Sequence, residues 1–201
     1  MPLKSVYDAR PCVDSMINDE ISQDCESLIR TSENMQKKLN TDQRAAFTAI
    51  VDQAKDGRPG FFFVYGHGGT GKTFIWNALV TYLRGYKRIV LTVASSGVAS
   101  LLLPGGRTAH SRFNIPIDLN DNGVCDIRRN SMLSSLIESM LLIIWAEAFM
   151  THRRCFEALD RSLRDVLSAN NPSLADKPFG GKIVVLGGDL RQILPVIEGG
   201  T

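Results

Sequence analysis

Residues 66–73, Gly66-His67-Gly68-Gly69-Thr70-Gly71-Lys72-Thr73, are the stretch of this chain best equipped for chemistry. Closely spaced glycines let a backbone curl until consecutive N–H groups point into one hollow, where phosphate oxygens fit. A helix starting there adds the partial positive charge of its N-terminus. A lysine after the last glycine reaches the β- and γ-phosphates, and the neighbouring hydroxyl ligates Mg²⁺. The stretch matches the pattern G-x-x-x-x-G-K-[ST], and a chance match in a chain this long is on the order of one per cent from average residue usage. It reads as a nucleoside-triphosphate site. Gly66, Gly68, Gly69, Thr70 and Gly71 form the cradle, Lys72 is the phosphate and catalytic ligand, and Thr73 is the metal ligand.

The flanks supply the elements that must position this loop. The apolar run 61–65 precedes it and a helix-like run, 74–80, follows, which is the strand–loop–helix setting the motif requires. Further strands are expected at 88–94, 140–145 and 182–186. All four runs are continuously apolar rather than alternating, the pattern of strands buried on both faces of a parallel sheet. A helix begins near Asn40-Thr41-Asp42, with Asn40 or Thr41 as N-cap, and Gly57-Arg58-Pro59-Gly60 ends it. Phe156, Leu159, Leu163, Val166 and Leu167 fall on one face of another. The expected fold is a three-layer α/β domain with nucleotide at the carboxyl ends of the strands. Residues 1–38 read as a peripheral, partly helical lead-in, and 39–201 as the domain itself.

Other residues gain meaning from those strand ends. The third run closes on Ala146-Glu147-Ala148, where an aspartate would ordinarily hold Mg²⁺ and a second acid would activate water. Alanine stands at the first position. Glu147 is placed as general base, or is a plain acid at a helix start. After the fourth run comes Gly187-Gly188-Asp189-Leu190-Arg191-Gln192. Gln192 is the candidate γ-phosphate sensor, with Asp189 near the metal and its water; a simple turn is the other reading. Gln43 carries an amide that can hydrogen-bond both a donor and an acceptor on an adenine edge, or can merely be solvated. In the segment 94–113, Ser95 and Ser96 suit phosphate contacts, and His110 or Phe113 can stack on a base. A capped helix and a glycine turn explain that segment equally well.

Composition sets the outer bounds. The chain has 201 residues, 44% of them hydrophobic, and a net charge of +2. That balance neither demands nor excludes a nucleic-acid partner. Cys12, Cys25, Cys125 and Cys155 are scattered without metal-ligand spacing and read as core residues of a reduced, intracellular protein. The apolar runs are too short to span a bilayer, and the N-terminus lacks the apolar core of a secretory signal.

Taken together, residues 66–73, 94–99, 107–113, 142–167 and 187–195 closely resemble the petite-integration-frequency (PIF) type DNA helicases of superfamily one, and most of all their plant and Helitron-transposon forms. The resemblance covers 39–201 and implies the first RecA-like domain of an ATP-dependent, Mg²⁺-requiring motor. Such motors move 5′ to 3′ on single-stranded DNA, unwind duplexes at junctions, and act in DNA repair, recombination and telomere maintenance. It implies the nucleus, or else the mitochondrion, as compartment. It also implies Gln43 as adenine reader, Lys72 and Thr73 as phosphate and metal ligands, Glu147 as catalytic acid, Gln192 as sensor, and Ser95, Ser96 and His110 on the DNA side. Two departures stand out. The family pattern Trp-Asp-Glu-Ala-Pro-Met is Trp145-Ala146-Glu147-Ala148-Phe149-Met150 here. The second RecA-like domain, which supplies an arginine finger, is not in these residues. Both departures imply weak ATP binding and slow hydrolysis, or else a non-catalytic nucleotide- or DNA-binding module that modulates a full-length helicase.

Overall fold

The computed structural model describes residues 15–21 and 24–192. The start of the lead-in, with Cys12, and the end of the 187–195 segment lie outside them. Helices α1 (Ser15–Ile21) and α2 (Cys25–Lys38) come first, then α3 (Thr41–Asp56), strand β1 (Gly60–Tyr65), α4 (Lys72–Gly85) and β2 (Ile89–Ala94). Short elements α5 (Gly97–Ser100), β3 (Arg107–Thr108) and α6 (Ala109–Phe113) follow. The chain then runs through α7 (Met132–Ser139), β4 (Met140–Ala146), α8 (Arg153–Ser168) and β5 (Ile183–Gly188).

Local chemistry explains the boundaries. Asn40 is the cap of α3: its Oδ1 accepts from the Gln43 amide while Gln43 Oε1 accepts from the Asn40 amide, a reciprocal capping box. Gly57 ends the same helix in a left-handed conformation, φ 64°. Helix α8 buries Cys155, Ala158, Leu159, Ser162, Leu163, Val166 and Leu167 along one face, which is the stripe expected from its 3.6-residue period.

The five strands form one parallel sheet in the order β1-β5-β4-β2-β3. Phe47, Ile50, Trp76, Leu79 and Leu83 of α3 and α4 belong to one buried cluster. Phe113, Leu136, Ile137, Leu159 and Leu163 of α6, α7 and α8 belong to another. The sheet is thus covered by helices on both faces, and the three expected layers are present. Helix α2 packs along α4, so close that a Cβ on Gly85 would stand 3.0 Å from Ile29 Cγ1.

Two details differ from the sequence reading. The two-residue strand β3 was not anticipated; it is too short to carry a hydrophobic pattern. β1 is not buried on both faces. Its residues alternate, with Phe61, Phe63 and Tyr65 between 41% and 58% exposed. Among the described residues it is an edge strand, paired with β5 alone. A run of aromatics does not reveal whether its second face is covered.

Lys182, just before β5, ties that strand to its neighbour. Its Nζ donates to the carbonyls of Glu138 (2.8 Å) and Met140 (2.7 Å). Burial pushes the ammonium down from 10.5 to about 8, with Glu138 acting in the opposite direction. Between those two values the unfolded chain binds the proton and the folded chain does not. Stability therefore rises with pH across that window, and the cost of burying the charge is fully present below pH 8. It amounts to about 3 kcal/mol. Denaturant unfolding of wild type and Lys182→Met from pH 7.5 to 10.5 checks this: wild type gains on the variant as pH rises, whereas parallel curves would refute it.

Candidate nucleotide site

Because the sheet is parallel, the carboxyl ends of its strands share one edge. Tyr65 pairs with Gly188 and Ala94 with Ala146, so the loop 66–71, Glu147 and Asp189 all leave the sheet on that side. The Gly66 amide donates to the Gly188 carbonyl at 3.4 Å, fixing the loop's first residue to the end of β5. The Thr70 amide and hydroxyl both donate to the His67 carbonyl, at 3.3 and 2.8 Å. Gly71 stands at the N-cap of α4 with φ 83° and offers no side-chain cap. The leading amides of a fourteen-residue helix are thus left for an anion. Lys72 Nζ donates to the carbonyls of Gly66 (2.6 Å) and His67 (3.0 Å). The ammonium spans the loop it belongs to, and engaging a phosphate would mean exchanging those carbonyls for phosphate oxygens.

Gln43 is used twice. Besides the capping box, its Nε2 donates to the Thr70 carbonyl at 2.9 Å. Both ends of the amide are engaged, so here Gln43 fastens α3 to the phosphate loop; reading an adenine edge would require it to change partners. The close approach depends on Gly71, where a Cβ would stand 2.5 Å from Gln43 Nε2. A Gly71→Ala variant is expected to lose roughly 1–2 kcal/mol from the left-handed backbone alone and to weaken nucleotide binding by displacing Gln43. Thermal unfolding and nucleotide titration check both; an unchanged melting temperature would contradict the strain.

The end of β4 holds a strained residue. Glu147 has φ 52° and ψ 41°, left-handed for a non-glycine, a conformation that persists only where its surroundings fix it. Ser95 does the fixing. Its hydroxyl donates to the Glu147 carbonyl at 2.5 Å, shares a hydrogen bond with Thr151 Oγ1 at 2.5 Å, and accepts from Trp145 Nε1 at 3.3 Å. The carbonyl takes the Ser95 proton, which leaves Thr151 as donor to Ser95. Ser95, expected on the DNA side, is therefore a brace beneath the proposed general base. Its neighbour Ser96 is exposed and caps α5, accepting from the Ala99 amide at 3.2 Å. Ala146, the last residue of β4, is buried and brings no charge.

Asp189 follows β5 directly. Its Oδ1 accepts from the Arg191 amide at 3.0 Å and lies 3.8 Å from His67 Nδ1. The Arg191 amide foremost, then His67, the Gly68 amide and Lys72, hold its carboxyl below the usual carboxylate range, against an opposing effect of burial. An ionised acid thus sits beside the phosphate loop. The tie to His67 was invisible in the sequence, because His67 occupies a variable position of the loop pattern. Gln192 closes a short 3₁₀ turn after Asp189, its amide donating to the Asp189 carbonyl at 3.1 Å, and is exposed. Among the described residues no group of three or more His, Cys, Asp or Glu could hold a metal ion. A cation would depend on the exposed Thr73 hydroxyl, with Asp189 behind it and nucleotide oxygens completing its shell.

The expected DNA-side residues divide further. His110 in α6 is half-buried, its Nε2 3.8 Å from Cys155 Sγ. Phe113 is fully buried in the core beside α8. Contrary to the expectation from sequence, it cannot stack on a base, because the helical spacing turns its ring inward. Cys125 and Cys155 are buried, with burial pushing the Cys125 thiol to about 11 and raising Cys155, as inert core thiols behave. Among the described residues no helix is long and apolar enough to cross a membrane.

A parallel sheet with a glycine-rich loop opening into an uncapped helix, and acids at neighbouring strand ends, defines a RecA-like P-loop nucleotide-binding domain. Residues 38–201 match the PIF1-like helicase family, and the chain belongs to it. It is 33% identical over 169 residues to ATP-dependent DNA helicase PIF4 of Trypanosoma brucei brucei, covering 81% of this chain and 19% of that protein. It is 32% identical to ATP-dependent DNA helicase Pif1 of a Psychrobacter species, covering 67% and 20%. Among solved structures, Bacteroides Pif1 bound to single-stranded DNA superposes with a TM-score of 0.63 at 28% identity, covering 79% of this chain and 34% of that one. A Bacteroides Pif1 complex with ADP-AlF₃ and single-stranded DNA gives 0.59 at 27%, covering 77% and 34%. The chain spans about a fifth of these curated relatives and about a third of these solved chains.

Proposed function

We propose that residues 39–201 are the ATP-binding lobe of a PIF1-type motor, with 15–38 an extension packed onto it. The observation that carries this reading is the loop 66–71 meeting the open N-terminus of α4, with Lys72 folded across it and Asp189 beside it. Lys72 grips the β- and γ-phosphates, Thr73 ligates Mg²⁺, and Asp189 orients the metal's water. Glu147 activates the attacking water, and Gln192 senses the γ-phosphate. The surface bearing Ser96 and His110 faces single-stranded DNA. A whole protein carrying this lobe unwinds DNA 5′ to 3′ at junctions in the nucleus, in repair, recombination and telomere maintenance. On their own, these residues bind ATP and hydrolyse it slowly, because Ala146 brings no carboxylate to the metal and an arginine finger would have to come from outside them.

Ala146 favours a second reading, a non-catalytic module that binds nucleotide or DNA and modulates a full-length helicase. ATPase assays with and without single-stranded DNA separate the two. Stimulation by DNA, lost in Glu147→Gln, supports the motor lobe; ATP binding with no turnover under either condition supports the module.

A further inference from the structure

Away from the nucleotide loop, a cavity of about 400 Å³ opens at the β3 edge of the sheet between α1, α4 and the Pro104–Arg107 turn. Arg84 of α4 and Arg112 of α6 line it, and both side chains are 5% exposed. Among the described residues their one carboxylate partner is Glu20 of α1, whose Oε2 accepts from Arg84 Nη2 at 2.5 Å and Oε1 from Arg112 Nη2 at 3.3 Å. Arg84 Nη2 also donates to the Val90 carbonyl at 3.2 Å and Arg112 Nη2 to the Gly105 carbonyl at 3.1 Å. Gly105 allows the turn to close on the pair, since a Cβ there would meet Arg84 Nη2 at 3.2 Å.

The cluster is under-neutralised. Arg107 lines the same cavity, so among the described residues three guanidiniums face one carboxylate. Arg84 Nε and Arg112 Nε are buried and have no hydrogen-bond partner among the described residues. Nε and Nη2 form one edge of a guanidinium, the edge that takes a carboxylate or phosphate through two parallel hydrogen bonds. Glu20 meets each edge at one nitrogen only. As placed, Glu20 leaves both Nε–H groups unmet; a tetrahedral oxyanion, with four oxygens, can engage both edges. Burial lowers the proton affinity of both arginines, opposed by Glu20, so further negative charge is favourable here. The arginines lie within the family-matched residues 38–201, whereas Glu20 lies outside them.

We propose that this cavity is a phosphate-class oxyanion site, distinct from the nucleotide loop, which Glu20 of α1 occupies as an internal competitor. The anion bridges the Arg84 and Arg112 edges, and Arg107 at the mouth contacts its outer oxygens. Either a free phosphate or a nucleic-acid backbone phosphate fits this chemistry.

The test reads the two arginines directly. The Nε–H resonances of Arg84 and Arg112 in ¹⁵N-labelled protein are followed while inorganic phosphate is added, against sodium chloride of equal ionic strength. Both resonances should move saturably with phosphate and not with chloride. Glu20→Gln should tighten binding at least about fivefold, and Arg107→Gln, at the exposed start of β3, should weaken it by a similar factor. A short oligothymidylate without terminal phosphates forms the second arm. Movement at lower concentration than phosphate assigns the site to a DNA backbone; movement with inorganic phosphate alone assigns it to a free anion. Resonances that stay fixed with both, or that follow chloride equally, would overturn the proposal. The wild-type titration and Arg107→Gln decide the matter even where Glu20→Gln fails to fold. ATP binding at Lys72 does not enter the readout, so this proposal and the nucleotide reading fail independently.

Discussion

Lys72→Ala is expected to weaken ATP binding by roughly 100- to 1,000-fold. The ammonium makes two hydrogen bonds to loop carbonyls in the free protein, and in the bound state it exchanges them for charged phosphate oxygens. Hydrogen bonds to charged groups contribute about 1.5–3 kcal/mol each, and every 1.4 kcal/mol is a factor of about ten. Two such bonds give the range, partly offset by the carbonyls left behind. The fold should persist, because Lys72 is half-buried at a helix start and lies outside both apolar clusters. Titration with a fluorescent ATP analogue, alongside a melting curve, checks both halves. Equal affinity of the two proteins would remove the nucleotide site from the account.

Ala146→Asp should act in the opposite direction and tighten Mg²⁺-ATP binding by roughly tenfold, the effect of one added charge-assisted contact to the metal's water shell less the cost of burying the new carboxylate. Ala146 is 8% exposed and ends β4, paired with Ala94, so the new carboxylate stands at the carboxyl edge of the sheet, on the side of the phosphate loop. The gain should vanish when Mg²⁺ is removed with EDTA. Turnover should remain slow, since an arginine finger is worth roughly 10³ to 10⁵ in rate in related P-loop enzymes. Fast turnover by Ala146→Asp in these residues alone would contradict the view that hydrolysis needs an arginine finger from outside them.

The contrast between these sites reflects what sequence can carry. The loop 66–73 was legible because its chemistry is local: glycines, lysine and hydroxyl are consecutive, and flanking runs announced strand and helix. The positions of β2, β4 and β5 were legible because buried parallel strands are continuously apolar. Relations made across the fold were not. Gln43 gave no sign that both ends of its amide would be committed, one to its own helix cap and one to Thr70. Ser95 read as a phosphate contact because small hydroxyls at helix starts often are; its actual partners are 52 and 56 residues away in sequence. Phe113 carried the opposite error, since an aromatic among polar neighbours looks available while the turn of α6 sends it to the core. The left-handed Glu147 has no compositional mark at all, because only glycine or asparagine would have advertised it. The Arg84–Glu20–Arg112 cluster joins segments 64 and 92 residues apart, and no local pattern predicts it.

The ends of β1, β4 and β5 place an ammonium, open helix amides and two acids on one edge of the sheet, and the central claim is that a nucleoside triphosphate belongs there. A crystal soaked with a non-hydrolysable ATP analogue and Mg²⁺ tests it most directly. The account predicts phosphate oxygens within hydrogen-bond distance of the 66–73 amides, with Lys72 Nζ withdrawn from the Gly66 and His67 carbonyls onto them. An empty loop, with Lys72 still bound to those two carbonyls at saturating analogue, would contradict it.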